Sequence, residues 1–314
     1  MCGAFLSFPY VFPIMFELPF SLLSPPSSVP GIDIRILVAV AFTGATAYYD
    51  MFKKKWVPDS LLWCFLGASL LLNVVFFDSA IFAQALLIAI IIAALTYALY
   101  RMGQLGGADV FVMTSIALAI PYLPKPLLAA SQAIPYPFFL SMLAPTGIAF
   151  IVHMLFRFIP YISRQLSRGK VKLTMQKMAG PALIIVSLIV FGASVSSMPV
   201  SLPASYFAII GFLGAALIFF SLFMPEIKAS MVEKIPTSRL QCEDVLALEQ
   251  MVLLAKKLNL SPVISEKTIA TLRRAKIKSV PVYTGMPFFL PYLLVGLVFA
   301  ILFGDLLYYI SFGV

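Results

Sequence analysis

Two aspartates, Asp50 and Asp109, lie where long apolar runs of the sequence end and begin. Asp50 closes a run that starts near Ile34, and three lysines follow at 53–55. Asp109 opens another run, directly after a glycine-rich turn at 100–108. An acid at the level of a membrane is costly and usually marks function, so each of these acids needs a partner. We therefore predict that the two aspartates meet at the membrane edge.

Paired carboxyl groups can divide the work of hydrolysis between them. Two acids within hydrogen-bonding reach cannot both ionise cheaply, so one keeps its proton while the other stays anionic. The anion takes a proton from a water that attacks a carbonyl group, and the neutral acid donates to the carbonyl oxygen. The sequence leaves open whether Asp50 or Asp109 holds the proton. Gly106, Gly107 and Ala108 form the loop beside the site, and we expect the glycines to admit a substrate backbone and to allow positive φ.

The composition is that of a membrane protein. Of the 314 residues, 61% are hydrophobic and 11% are charged, with a mean hydropathy of +1.02, whereas a soluble domain carries about 25% charged residues. The net charge of +9 is best explained by cationic loops that orient the chain, and we expect no nucleic acid partner. Cys2, Cys64 and Cys242 are isolated and His153 is the only histidine, so we expect no zinc site, no Ser-His-Asp triad and no cofactor.

The apolar runs divide the chain into four regions. Residues 1–33 are apolar, rich in proline and free of Lys and Arg, which predicts an interfacial extension rather than a signal peptide and leaves its place in the mature protein open. Residues 34–224 form a transmembrane core with a basic loop near 160–180, and residues 225–283 have the composition of a soluble module. Residues 284–314 form the last span. The predicted fold is an all-α polytopic membrane protein with about six to eight transmembrane helices and a small cytoplasmic soluble module.

Inside the module, the run at 243–258 predicts a helix, because its acids come early and its lysines late, which complements the helix dipole. Residues 265–276 predict a second short helix with Ser265 as its cap. The role of the module stays open.

The cations assign the two acids to one side of the membrane. If Asp50 and Asp109 lie inside, twenty of the 22 Lys and Arg residues are cytoplasmic, and only Arg35 and Lys125 fall outside. Cytoplasmic loops of membrane proteins carry such an excess of cations. We therefore predict a multi-pass protein of the cytoplasmic membrane whose site faces the cytoplasm. Membrane lipid is a partner, and the lysines at 53–55 could bind anionic headgroups.

Three short motifs resemble the type IV prepilin peptidase family, and most closely its archaeal branch, which processes preflagellins and archaeal pilins. They are Tyr48-Tyr49-Asp50 followed by lysines and Val57-Pro58-Asp59, then Gly106-Gly107-Ala108-Asp109, and residues 285–291 at the start of the last span. The resemblance implies an intramembrane aspartic endopeptidase of the Gly-x-Gly-Asp type. Such enzymes cut short, basic leader peptides from precursor pilins or flagellins at the cytoplasmic face. The resemblance also implies that Asp50 and Asp109 are the catalytic residues.

Two departures from the family pattern matter for this resemblance. Ala108 replaces the glycine next to the second aspartate, and alanine disfavours positive φ. The paired cysteines that bacterial members carry in a zinc-binding inner loop are missing, which favours an archaeal-type enzyme.

Two other functions stay open. A small proton- or cation-coupled transporter would use Asp50 and Asp109 as ion sites and the glycines at 106–107 as a helix break. It predicts internal repeats, and the segments around the two acids show no sustained similarity. A non-catalytic membrane assembly factor that acts through the module would leave both acids unexplained.

Overall fold

The structure is a computed structural model that describes residues 29–53, 57–128, 136–171, 174–196, 203–242, 244–258, 260–284 and 287–312. Most of the predicted extension at 1–33, two of the three lysines at 53–55 and the first two residues of the 285–291 motif lie outside these ranges. The elements in chain order are α1 Ile32–Phe52, α2 Asp59–Val75, α3 Ser79–Arg101, α4 Gly107–Ala119, α5 Phe138–Ser167, α6 Met175–Ser196, α7 Ala204–Met231, β1 Val232–Pro236, α8 Val252–Leu258, α9 Glu266–Arg274, β2 Ser279–Tyr283, α10 Leu290–Phe303 and α11 Leu306–Phe312, with short 3₁₀ turns at Thr237–Arg239 and Leu248–Gln250.

The predicted all-α membrane fold is confirmed. Within the described ranges, α1, α3, α5, α6 and α7 are long and apolar enough to cross a membrane, and α2, α4 and α10 are apolar but shorter. A bilayer core of about 30 Å needs about 20 helical residues. The two-stranded sheet formed by β1 and β2 belongs to the module.

Helices α1, α2, α4 and α10 form the packed centre of the molecule. α1 packs against the other three, and α4 also packs against α3. Their contact surfaces carry small and branched apolar side chains that are fully buried, such as Ala39, Val112, Ile116, Leu293 and Leu297. By contrast, α6 and α7 pair with each other and leave most of their surface open to lipid. The central helices carry the buried polar residues Arg35, Asp50, Asn73 and Asp109.

The fourth apolar helix is short, as the sequence predicts. α4 has 13 residues, which gives a length of about 20 Å. The chain beyond it is extended and mostly buried at 120–124. The backbone amides of Leu127 and Leu128 then donate to the carbonyls of Ile301 and Leu302 at the end of α10. Non-helical backbone at membrane depth is tolerated where protein buries it, and residues 120–124 meet that condition.

The segment predicted as the last span contains a break in its helix, between α10 and α11. Gly304 lies at the break with φ +85°, a conformation that favours glycine. Asp305 follows and caps α11, since its carboxylate accepts from the backbone amide of Tyr308 at 2.7 Å. The hydroxyl of Tyr136 donates to the same carboxylate at 2.5 Å. This cap and its distant tyrosine explain how an acid is retained near the end of an apolar run.

The module is a small sheet covered by short helices. Its two strands pair antiparallel. The predicted helix at 243–258 is wrong in its first half, because residues 245 and 246 form β-bridges and the α-helix, α8, begins only at Val252 after a 3₁₀ turn. Glu243 lies outside the described residues. The second predicted helix is confirmed as α9, with the hydroxyl of Ser265 accepting from the amide of Thr268 at 3.3 Å. The buried core of the module consists of Leu240, Leu246, Ile264, Leu272, Val280 and Val282.

Candidate active site

Asp109 lies in the first turn of α4, and its carboxylate is held against the backbone of the preceding loop. The amide of Gly106, the residue before the helix, donates to Asp109 Oδ2 at 2.8 Å. The side chain is buried, with 8% of the residue exposed. The first amides of a helix have no partners within the helix and carry partial positive charge. An anionic carboxylate is therefore stabilised at this position.

Asp50 lies in the last turn of α1, two residues before the helix ends at Phe52. It is as buried as Asp109, with 8% exposed. The carbonyl end of a helix carries partial negative charge, which disfavours an anion and favours a neutral carboxyl group. The two predicted site acids therefore occupy helix ends of opposite polarity.

The two acids lie at the same end of two helices that pack together. α1 packs against α4, and their opposite ends are joined by Arg35, which lies in the first turn of α1. Arg35 Nη1 donates to the carbonyl of Ala119, the last residue of α4, at 3.0 Å. Since α1 and α4 run in opposite directions from this contact, Asp50 and Asp109 both lie at the far end.

The role of Arg35 was not predicted from the sequence, where the charge count only placed it on the outer side of the membrane. Arg35 is fully buried. Besides Ala119, it donates to the Asn73 side chain at 3.0 Å, to the Leu72 carbonyl at 3.3 Å and to the Pro30 carbonyl at 3.0 Å. Asn73 in turn donates to carbonyls of α2 and α4. The available signal was an arginine and an asparagine inside otherwise apolar runs, a combination that requires partners at membrane depth.

The glycines of the predicted supporting loop do not adopt the expected positive φ. Within the whole turn at 100–108, positive φ occurs only at Gly103, where φ is +74°. Gly106 has φ −79°, and Gly107 and Ala108 already belong to α4. Alanine is compatible with helix, so Ala108 does not disturb the loop conformation.

Glycine is favoured at position 106 for a different reason, because the Asp109 carboxylate lies close to its backbone. A Cβ atom built on Gly106 would lie 3.3 Å from Asp109 Oδ2, which is closer than most Cβ contacts in proteins. A side chain at this position would push the carboxylate away from the amide that holds it.

The module touches the same loop. A Cβ atom on Gly103 would lie 3.2 Å from Val245 Cγ1 and 3.4 Å from Pro262 Cβ. Both contacting residues belong to the edge of the module, where residue 245 accepts a backbone hydrogen bond from Tyr283. The module therefore lies at the end of the central helices that carries Asp50 and Asp109.

Large aromatic side chains lie at this end and face outward. The rings of Tyr48 and Phe52 of α1 contact each other in a tilted arrangement at 5.1 Å, and Trp63 of α2 contacts Phe111 of α4 edge to face at 5.0 Å. Tyr48, Phe52 and Trp63 are exposed. Exposed tyrosine and tryptophan are enriched at the boundary between membrane and water, so these rings are consistent with acids near that boundary. No three His, Cys, Asp or Glu side chains come close enough to hold a metal ion in the part of the chain that the structure describes.

Residues 37–158 match the type IV leader peptidase family. The matched segment extends from α1 into α5 and includes Asp50, Asp109 and the loop between α3 and α4. It covers less than half of the chain, and the module and the last helices lie beyond it. No curated protein and no solved structure matches the chain. The match supports a type IV leader peptidase function, and with it the chemistry of an aspartic protease.

Proposed function

We propose that this protein is an intramembrane aspartic endopeptidase that removes short, basic leader peptides from precursor pilins or flagellins, with Asp50 and Asp109 as its catalytic pair. The family match supports the peptidase chemistry. The resemblance of the three short motifs to the archaeal branch, together with the lack of paired cysteines in the basic loop, supports the archaeal type of precursor.

One observation carries the proposal. Two acids, each 8% exposed, lie at the same end of α1 and α4, which pack directly against each other. Holding one acid in this environment is costly, and holding two without function is more so. Both acids also fall within the segment that matches the family.

The opposite polarity of the two helix ends suggests a division of roles. Asp109 accepts a hydrogen bond from the Gly106 amide at the amino end of α4, which favours its anionic form. Asp50 lies at the carbonyl end of α1, which favours its protonated form. We therefore assign Asp109 as the general base and Asp50 as the general acid in the first step.

In that step, the carboxylate of Asp109 takes a proton from water, and the water oxygen bonds to the carbon of the scissile carbonyl. Asp50 gives its proton to the carbonyl oxygen, so the intermediate is a neutral geminal diol. In the second step the carbon–nitrogen bond breaks, Asp109 passes its proton to the leaving nitrogen, and a diol hydroxyl returns a proton to Asp50. The pair is then restored to its starting protonation.

The location of the cations supports cleavage at the cytoplasmic face. Lys53 directly follows α1 and Arg101 is the last residue of α3, so both lie at the end of the helices that carries the site. The basic loop after α5 begins at the same end. Cytoplasmic loops carry such an excess of Lys and Arg. A precursor with its leader in the cytoplasm and its apolar helix in the bilayer would present its cleavage site at this depth.

Co-expression with a tagged preflagellin or prepilin tests the proposal. We expect Asp109→Asn and Asp50→Asn to slow processing by about 10² to 10⁴-fold, the usual contribution of a general acid or base. Asp50→Asn should retain more activity, because an amide can still donate to the carbonyl oxygen. Asp59→Asn is the matched control, since Asp59 is exposed at the start of α2, and it should process normally. Full processing by either the Asp50 or the Asp109 variant would end the proposal.

A further inference from the structure

Helix α8 of the module presents an apolar edge that the module does not cover. Leu253 is 87% exposed and Val252 is 51% exposed. Neither belongs to the core of the module, which instead includes Met251 just before them. Lys256 and Lys257 are exposed one turn further along, so they lie on the same face as the two apolar side chains.

The depth of α8 follows from its neighbour α7. A helix needs about 20 residues to cross the bilayer core, so α7, which begins at Ala204, reaches the far boundary near Met224. Met224 and Pro225 line a groove together with Glu249 and Gln250 of the module. α8 begins two residues after Gln250, and therefore lies close to the level at which the hydrocarbon ends.

A second contact fixes the module at this level. Lys228 in the last turns of α7 pairs with Glu249 at 3.3 Å. The carboxylate of Glu249 also accepts from the hydroxyl of Tyr283 at the end of β2. These contacts join the start of α8 to a membrane-spanning helix.

We propose that α8 is a lipid-binding edge, in which Leu253 and Val252 enter the headgroup region while Lys256 and Lys257 bind the phosphates of anionic lipids. Short apolar side chains flanked by lysines suit the boundary of a bilayer, where the lysine stems lie along apolar surface and the ammonium groups reach the phosphates. The charge of the two lysines complements an anionic leaflet and adds to the apolar contact. The proposal does not depend on the peptidase activity, and it gives the module a role at the membrane surface.

Spin labels on the full-length protein in lipid nanodiscs test this proposal. The label is attached through Leu253→Cys in a chain in which Cys2, Cys64 and Cys242 are changed to serine. The control is Ala270→Cys, at an exposed position on α9 of the same module. Oxygen partitions into lipid and a nickel chelate stays in water, so their collision rates with each label report its depth.

In nanodiscs that contain phosphatidylglycerol, we expect the label at 253 to collide more with oxygen than with the chelate, and the label at 270 to show the reverse. Adding Lys256→Gln and Lys257→Gln should lower the ratio of lipid-bound to water-exposed label at 253 by roughly fivefold per lysine. Exposure of both labels to the chelate alike would overturn the proposal. So would protection of the 253 label that appears only at high protein concentration, because this would show that a second copy of the chain covers α8.

Discussion

The two ends of the central helices bury charge in opposite ways. At one end, Arg35 donates to four acceptors on three parts of the chain, and Asn73 extends the network to the ends of α2 and α4. At the other end are Asp50 and Asp109, and Asp109 lies beside a glycine-rich turn that contacts a separate module. At the end that carries Arg35, hydrogen bonds join the ends of the helices to one another. The end that carries Asp50 and Asp109 is bordered by a loop and by the module.

This contrast separates a charge that stabilises from charges that react. A buried cation whose donors are matched to helix carbonyls joins helices and has no free access to substrate. A buried acid at the edge of the bilayer, next to residues 106–108 whose side chains are at most a methyl group, can be approached by a peptide backbone. Removal of Arg35 should therefore affect folding, and removal of either acid should affect chemistry.

The largest effect on stability is expected for Arg35→Met. This change leaves the Asn73 side chain and the Ala119 carbonyl without their donor, and each unsatisfied buried acceptor costs about 1–3 kcal/mol. We expect the free energy of unfolding in detergent to fall by roughly 3 kcal/mol. Lys125→Met is the control, since Lys125 is exposed, and it should change stability by less than about 0.5 kcal/mol. Equal stability of the two variants would contradict the role of the arginine network.

Next in size is Gly103→Ala, which tests the contact between loop and module. A residue with a side chain pays about 1–2 kcal/mol for the left-handed conformation at φ +74°. The added methyl group also meets Val245 at 3.2 Å. Gly169→Ala is the matched control, because Gly169 has φ +64° and open space around it. We expect limited proteolysis to cut the module faster in the Gly103 variant than in the Gly169 variant, and equal rates would show that the contact does not hold the module.

A smaller effect is expected for Gly106→Ala. The new methyl group would displace the Asp109 carboxylate by a few tenths of an ångström, so we expect cleavage to slow on the order of fivefold. Gly44→Ala in α1 is the control, because no atom lies within 4 Å of the added methyl group. A Gly106 variant with wild-type kinetics would mean that the position of this carboxylate is not critical.

The smallest effect concerns acid pH and the module. The Tyr283 hydroxyl, and after it Lys228, hold the pKa of Glu249 below its ordinary value. A carboxylate with a lowered folded-state pKa stabilises the fold above its unfolded pKa, and this stabilisation is lost as the pH falls through the folded pKa. Proteolysis of the module should therefore rise slightly as the pH falls below about 4. Glu249→Gln should remove this dependence, and a variant that keeps it would exclude Glu249 as its source.

Much of the fold was accessible from the sequence because hydropathy and cation placement report directly on membrane spans. The two acids were accessible for the same reason, since each interrupts an apolar context at a helix boundary. The partners of Arg35 were not, because Asn73 and Ala119 lie 38 and 84 residues away and no periodic pattern links them. The hydrogen bond that Asp305 accepts from Tyr136 could not be predicted for the same reason, because the two residues are 169 positions apart.

Local conformation was harder to predict than position. The sequence pointed to Gly106 and Gly107 for positive φ, whereas Gly103 adopts it, because the chain turns where α3 ends and α4 starts only at Gly107. The first half of the run at 243–258 had the charge pattern of a helix, but its apolar residues pair with the sheet of the module. Tertiary contacts outweighed local preference in both places.

A double-mutant comparison of cleavage rates tests whether Asp50 and Asp109 act as one pair. It measures single-turnover cleavage of a purified prepilin by the wild-type protein, Asp50→Asn, Asp109→Asn and the doubly substituted protein. If the acids act as a unit, the double variant should be no slower than the slower single variant, because removing either acid already disables the step. Losses that multiply in the double variant, or full activity in either single variant, would contradict the proposed catalytic pair.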